Sequence, residues 1–179
     1  YITHSIEEIS QIGDQIVLIK DGKKIDSGSV SNILNRSSFV DLTGKFESSS
    51  ILEGIVSRHD QNLHMTTLDL NGQKLIVPGL PGKLNDMVRV RIRSRDILVS
   101  SSRIKTQITE NELQGLISSI EIEKNSAFSE LVIVLKNFKN NRKKQKLRAR
   151  ITTYNLKNKK LLIHDKVFIY VSSVSIDRQ

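Results

Sequence analysis

From residue 51 to the end, this sequence is a succession of short apolar runs broken by turn residues. "ILEGIVSRH", "LHMTTLDL", "QKLIVPG" and "MVRVRIRSRDILVSS" follow one another, separated by Asp60-Gln61-Asn62, Asn71-Gly72 and Pro81-Gly82. Val88, Val90 and Ile92 alternate with Arg89, Arg91 and Arg93, and Arg95 extends the polar side; this is the two-residue period of a strand with one buried face. Asn71-Gly72 suits a type I′ hairpin, where both central residues need positive φ. The second half repeats the plan with "LQGLISSIEIE", "SELVIVLKN", "QKLRARITT" and "DKVFIYVSSVSI". Between its last two strands, "YNLKNKKLLIH" reads as a short helix or turn followed by an apolar plug. Short strands at this spacing argue for small barrels. The expectation is a mainly β protein with two five-stranded, OB-like units at 51–104 and 105–179.

The first 50 residues follow another pattern. Tyr1-Ile2 reads as the end of a buried strand, which implies a larger protein upstream. Thr3 or Ser5 can cap a helix whose first turn carries Glu7 and Glu8, where the helix dipole favours carboxylates. Ile6, Ile9 and Ile12 recur at helical spacing and Gly13 ends the run. In "QIVLIKDGKKIDSGS", Ile16 to Ile19 form a strand, Asp21-Gly22 a tight turn, and Lys24 to Asp26 a returning edge strand. Ser29 then caps a short helix through Val30, Ile33 and Leu34. Such a fragment is too small to bury its own core. Residues 36–50 lack either periodicity, are rich in Ser, and read as a linker after a unit at 1–35.

The charge is unevenly placed. Residues 1–50 carry 5 Lys/Arg and 7 Asp/Glu, whereas residues 51–179 carry 23 and 12. With no cysteine, disulfides and thiolate metal sites are excluded. No apolar run approaches the roughly 18–20 residues of a membrane span. The chain also lacks a G-x-x-x-x-G-K-[ST] loop, a G-x-S-x-G elbow and an H-E-x-x-H helix. His4, His59, His64 and His164 are dispersed, and the His59/His64 pair across one hairpin reads as loop histidines, so no metal is expected. The Arg89/Arg91/Arg93/Arg95 ladder reads as a solvated outer face whose stems cover apolar area. Lys136 to Arg150 contains eight Lys/Arg and no acid, centred on an extended loop. A single-strand nucleic-acid barrel would also need aromatic residues for base stacking. Only 8 of 179 residues are aromatic, against that reading.

Taken together, "YITHSIEEISQIGDQIVLIKDGKKIDSGS" resembles the end of an ABC transporter ATPase domain, in which a strand delivers a switch-loop histidine to the ATP γ-phosphate. That histidine is His4 here. "SSILEGIVSRHD", "LIVPGLPG", "VRVRIRSRDILVSS", "LQGLISSIE", "LRARIT" and "VFIYVSSVSI" resemble the Mop/TOBE accessory region of molybdate-importer ATP-binding subunits. The resemblance covers nearly the whole chain. It implies OB-like barrels behind a small α/β ATPase tail, a homodimer, a membrane permease partner, and a peripheral place on the cytoplasmic face of the inner membrane. ATP and magnesium would belong to the full-length parent. This chain alone, lacking the phosphate loop, is expected to be inactive and to hold neither.

One stretch departs from the family. Mop barrels hold their oxyanion with a T-S-x-R-N stretch and a Lys from the closing I-K-x-S strand. Here Gln107-Ile108-Thr109-Glu110-Asn111 stands at the first motif and Ser172 at the Lys position. The resemblance therefore leaves Thr109, Asn111, Ser172 and Ser173 as the oxyanion-binding candidates, with molybdate or tungstate bound weakly. Two like charges about 4 Å apart cost about 4 kcal/mol at an effective dielectric near 20, so Glu110 opposes a dianion. A register shift of one or two residues would instead bring Lys105 or Thr106 forward. Two other readings stay open: an accessory region of an importer for sulfate, sugar, iron or polyamine, and a basic OB-type nucleic-acid binder.

Overall fold

Alternating apolar residues become strands here as expected, but the strands pair across the two halves of the sequence. The computed structural model describes residues 1–5, 8, 9, 12–33, 48–105, 109–139, 144–172 and 174–176. Ile6, Leu34, Ser173, most of the expected linker and the centre of the basic loop lie outside the described residues. An N-terminal hairpin, β1 (Gln15–Lys20) and β2 (Lys23–Ser29), leads into a one-turn helix α1 (Val30–Ile33). The first repeat then contributes β3 (Ser49–Asp60), β4 (Met65–Leu70), β5 (Gln73–Pro78), β6 (Met87–Arg93) and β7 (Ile97–Ser100). The second contributes β8 (Asn111–Ile122), β9 (Phe128–Leu135), β10 (Lys146–Thr152), a helix α2 (Thr153–Asn158), β11 (Lys166–Val171) and β12 (Ser175–Ile176). Asp21-Gly22 and Asn71-Gly72 turn the two tightest hairpins with all four φ values positive, between 50° and 92°.

One five-stranded sheet runs β12-β6-β3-β4-β5 and the other β10-β9-β8-β11-β7. Thus β7 leaves its own repeat to pair with β11, and β12 crosses back to pair with β6. The two repeats exchange their last strands reciprocally. Their registers also match. Val56 lies opposite Leu68 and Ile117 opposite Ile133, and each long first strand is bulged immediately afterwards. Gly54 and Gly115 stand two residues before those positions. A Cβ on Gly54 would lie 2.9 Å from the Leu68 side chain, and one on Gly115 only 2.5 Å from Ile133. The partner strand leaves no room for a side chain at either place.

Both repeats feed one core. Leu52, Leu68, Leu75 and Val90 from the first meet Leu113, Ile133, Leu147 and Ile169 from the second in a single cluster, all fully buried. Each such side chain contributes roughly 1.5–3 kcal/mol relative to exposure. The core reaches its size because neither repeat closes without the other's strand.

The N-terminal unit does need a borrowed surface. Ile16, Leu18, Val30 and Ile33 cluster with Ile51 of β3, on the face turned away from the main core. Three local expectations are corrected. Tyr1 and Ile2 are 90% and 99% exposed rather than buried at a strand end. Strand β3 starts at Ser49, so the linker's last residues are buried, ladder-forming backbone. Only Leu161 of the expected apolar plug is inside, while Leu162 and Ile163 face solvent. Strand β11 itself lies between β8 and β7 in its sheet. The Thr152 side chain accepts the Asn155 N–H at 3.1 Å and caps α2.

Candidate oxyanion stretch and switch segment

The two candidate regions stand at opposite ends of the chain and rest on different supports. At the N-terminus, the Ser5 side chain accepts the Glu8 N–H at 3.3 Å and the Ser5 carbonyl accepts the Ile9 N–H at 3.1 Å, a capped helical turn. Thr3 and Tyr1 donate their hydroxyls to one Glu8 oxygen at 2.5 and 2.9 Å. These bonds favour the charged carboxylate and hold the Glu8 pKa below its ordinary value. The Tyr1 phenol, donating to that anion, is pushed above its own. His4 is exposed beside this cluster.

In the second repeat, Thr109 and Asn111 lead into β8, while Ser172 follows β11. Their donors are turned inward. The Thr109 hydroxyl donates to the Val171 carbonyl at 2.7 Å and accepts the Asn111 N–H at 3.3 Å. The Asn111 amide grips the backbone of Ile76 on β5: its nitrogen donates to the Ile76 carbonyl at 2.9 Å and its oxygen accepts the Ile76 N–H at 2.6 Å. Ser172 sends both its N–H and its hydroxyl to the Asp96 carbonyl, each at 3.0 Å. Glu110 is exposed, and the nearby guanidinium of Arg103 pairs with Glu112 at 3.0 Å. The fold gathers Thr109, Asn111 and the end of β11, and spends their described side-chain donors on backbone carbonyls. Ser173 and residues 106–108 lie outside the described residues.

Asn111 belongs to a set of latches that sequence reading missed. Gln73 of β5 donates to the Gln114 and Lys136 carbonyls and accepts the Gln114 N–H. Gln145, just before β10, does the same to Glu53 of β3, accepting its N–H at 2.7 Å and donating to its carbonyl at 2.8 Å. Ser50, at the position equivalent to Asn111, accepts the Arg148 N–H at 2.8 Å. Each repeat thus reaches across with a glutamine and a shorter polar side chain. The recurring "QKL" of "QKLIVP" and "QKLRAR" was the signal in the sequence.

The arginine ladder is not a solvated face along its length. Arg91 is buried and donates to the Ser49 hydroxyl at 3.2 Å. Arg89 donates to the Gly13 carbonyl at 3.1 Å and lies within 4 Å of Glu53 and Asp14. Alternation gives the face and says nothing of what packs on it: the N-terminal unit meets this one at Ile51 and Arg89. Arg93 and Arg95 are exposed as expected. Within the basic stretch, Arg148 pairs with Glu130 at 3.1 Å, both nearly inaccessible. Arg150 pairs with Glu123 at 3.1 Å and lies over the Phe128 ring. His59 hydrogen-bonds Thr66 across the hairpin. No group of three or more His, Asp or Glu residues is placed to hold a metal ion among the described residues. No helix among them is long and apolar enough to cross a membrane.

No protein-family model matches the chain. It is 28% identical over 178 residues to the molybdenum import ATP-binding protein ModC of Mesorhizobium japonicum, an alignment covering 99% of this chain and 46% of that protein. Against ModC of Haemophilus influenzae it is 27% identical over 176 residues, covering 98% of this chain and 48% of the other. Against ModC of Rhizobium johnstonii it is 32% identical over 123 residues, covering 67% and 33%. The chain spans about half the length, or less, of these relatives. Among solved structures, the cytoplasmic molybdate-binding protein ModG, in a molybdate-bound crystal form, aligns with TM-score 0.59 over 73% of this chain and 96% of that one. At 15% identity this is a likeness of fold. The chain is related along nearly its whole length to the ModC ATP-binding proteins, and its repeats have the fold of ModG.

Proposed function

We propose that this chain, as a relative of the molybdenum import ATP-binding proteins, is the accessory C-terminal region of an ABC importer ATPase subunit for molybdate or tungstate, with the tail of the ATPase domain attached. The observation that carries the reading is the unbroken relationship through both parts, the His4–hairpin unit and the two repeats. The ModC relatives favour this reading over a sulfate, sugar, iron or polyamine importer or a nucleic-acid binder. In the complete subunit, His4 would meet the ATP γ-phosphate, where a neutral imidazole can donate one hydrogen bond. ATP and magnesium would be held by the rest of that subunit. The partners would be a second copy and a membrane permease, placing the assembly on the cytoplasmic face of the membrane.

The accessory repeats would bind oxyanion weakly. Thr109, Asn111 and Ser172 already serve backbone carbonyls, Glu110 stands where the family has a cation, and Ser172 where it has a lysine. The test is a chimera in which this chain replaces the corresponding part of Haemophilus influenzae ModC. Molybdate uptake should persist, and its inhibition by internal molybdate should weaken. A stable, membrane-associated chimera without uptake would contradict the reading. The isolated chain should not hydrolyse ATP, and turnover abolished by His4→Ala would count against that.

A further inference from the structure

Among the described residues, the N-terminal unit packs on Ile51 of β3 and bonds to Arg89 of β6, and that polar anchor is one step from the second repeat. Gly13 follows the helical residue Ile12, and its N–H donates to the Ile9 carbonyl at 3.0 Å. The Gly13 carbonyl, left over at the helix end, is taken by Arg89 of β6. The same guanidinium faces the Glu53 carboxylate of β3 at 3.7 Å and Asp14 at 3.9 Å. Asp14 is 93% exposed, so solvent screens that pair, and the Gly13 and Glu53 contacts carry the geometry. Glu53 is itself fixed from the far side, where the Gln145 amide closes two hydrogen bonds on its backbone from the second repeat.

We propose that Gln145, Glu53 and Arg89 form a relay that fixes the end of the helical segment following His4 to the second repeat. Arg89 is a positioning residue for that segment: its planar fork engages a carbonyl and a carboxylate at once, which a lysine cannot reproduce. The apolar contact of Ile51 with Ile16, Leu18, Val30 and Ile33 supplies adhesion without direction. The relay, hydrogen-bonded at Gln145–Glu53 and at Arg89–Gly13 and joined by the Glu53–Arg89 ion pair, supplies the orientation. In the role proposed above, a change in the second repeat would reach the nucleotide-facing segment by this route. The inference rests on that reading for its meaning. The relay itself can be tested without ATP.

The molecule contains its own control. Gln73 is the counterpart of Gln145 and makes the same kind of latch, but onto Gln114 of β8, which lies in the other sheet from Arg89. Amide exchange on the full chain should therefore separate them. Arg89→Ala should speed exchange of Gly13 and the β1–β2 hairpin about fivefold, and Gln145→Ala about threefold, each in the range of one net hydrogen bond. Gln73→Ala should leave those amides unchanged. Adding Gln145→Ala to Arg89→Ala should add nothing, and Arg89→Lys should restore less than half of the effect. If Gln145→Ala does not fold, Glu53→Gln breaks the same relay while keeping the backbone latch, and should also speed these amides. Equal effects of the Gln145 and Gln73 changes, additivity of the double variant, or an unmoved hairpin in Arg89→Ala would each overturn the relay. Because no nucleotide enters the measurement, such a failure would leave the uptake test standing.

Discussion

The first and second repeats share a backbone plan and divide their chemistry by face. On the inner face the correspondence is close: Leu52 with Leu113, Gly54 with Gly115, Val56 with Ile117, all against one core. On the outer face it fails. Where the first repeat has Arg89 and Arg91, the second has Phe168 and Tyr170 in the same register. Where the second buries Glu130 and Arg148, the first has Met65 and Ile76. The inner face is constrained by close packing, which penalises even one added methylene. The outer face is free to specialise, and in the first repeat it has become the seat of the N-terminal unit.

The sharpest way to break this comparison is at the buried ion pair. Glu130→Ala removes a carboxylate from a nearly inaccessible guanidinium and should cost about 3–5 kcal/mol in denaturant unfolding. Grafting the first repeat's solution, Glu130→Met with Arg148→Ile, should recover most of that loss, because an apolar pair avoids desolvating two charges. If the graft is as damaging as the single change, the two outer faces are not interchangeable frameworks. Next in size are the glycines. Gly115→Ala meets both Ile133 and the Val134 carbonyl, and should cost about 2–3 kcal/mol. Gly54→Ala meets the Leu68 Cβ at 2.9 Å and the end of the Leu70 side chain at 3.0 Å but no backbone oxygen, and should cost less, about 1–2 kcal/mol. Equal losses would remove the asymmetry of fit between the repeats.

The latches come third. Gln73→Ala strands backbone groups of Gln114 and Lys136, and Asn111→Ala strands those of Ile76, so each should lower stability by about 1–3 kcal/mol. Unfolding should remain a single transition, since the repeats share a core and exchange strands. Two resolved transitions would mean the exchange does not couple them. The smallest effect lies in the N-terminal cluster. The folded pKa of Glu8 is lowered, so the contribution of its bonds is present above the ordinary carboxylate value and lost as pH falls through the lowered one. Exchange of the Glu8 and Ile9 amides should quicken over that acid window relative to the repeats. Glu8→Gln should remove the pH dependence.

Much of this arrangement was legible before any coordinates. Two-residue alternation placed the strands, and Asn71-Gly72 and Asp21-Gly22 placed the tight turns, whereas the halves expected as units at 51–104 and 105–179 share one core. The exchange of β7 and β12 was not legible, because "ILVS" and "SI" pair with strands about seventy to eighty-five residues away in sequence and periodicity is a local property. Burial of Arg91 was hidden for a related reason, since its hydroxyl partner Ser49 lies 42 residues upstream. Asn111 illustrates a third limit. Its type suits an anion ligand and a backbone clamp equally, and only the position of Ile76 distinguishes them.

The proposed weak oxyanion binding rests on a fold shared with ModG and on Glu110 and Ser172 standing where the family resemblance expects cations. Calorimetric titration of molybdate into this chain, and into the Glu110→Arg, Ser172→Lys variant, tests that directly. The original chain should give no saturable heat below about 1 mM, an affinity weaker than about −4 kcal/mol. The variant, with one negative charge replaced and two cations gained, should bind at least tenfold more tightly. Low-micromolar binding by the unaltered chain would contradict the account.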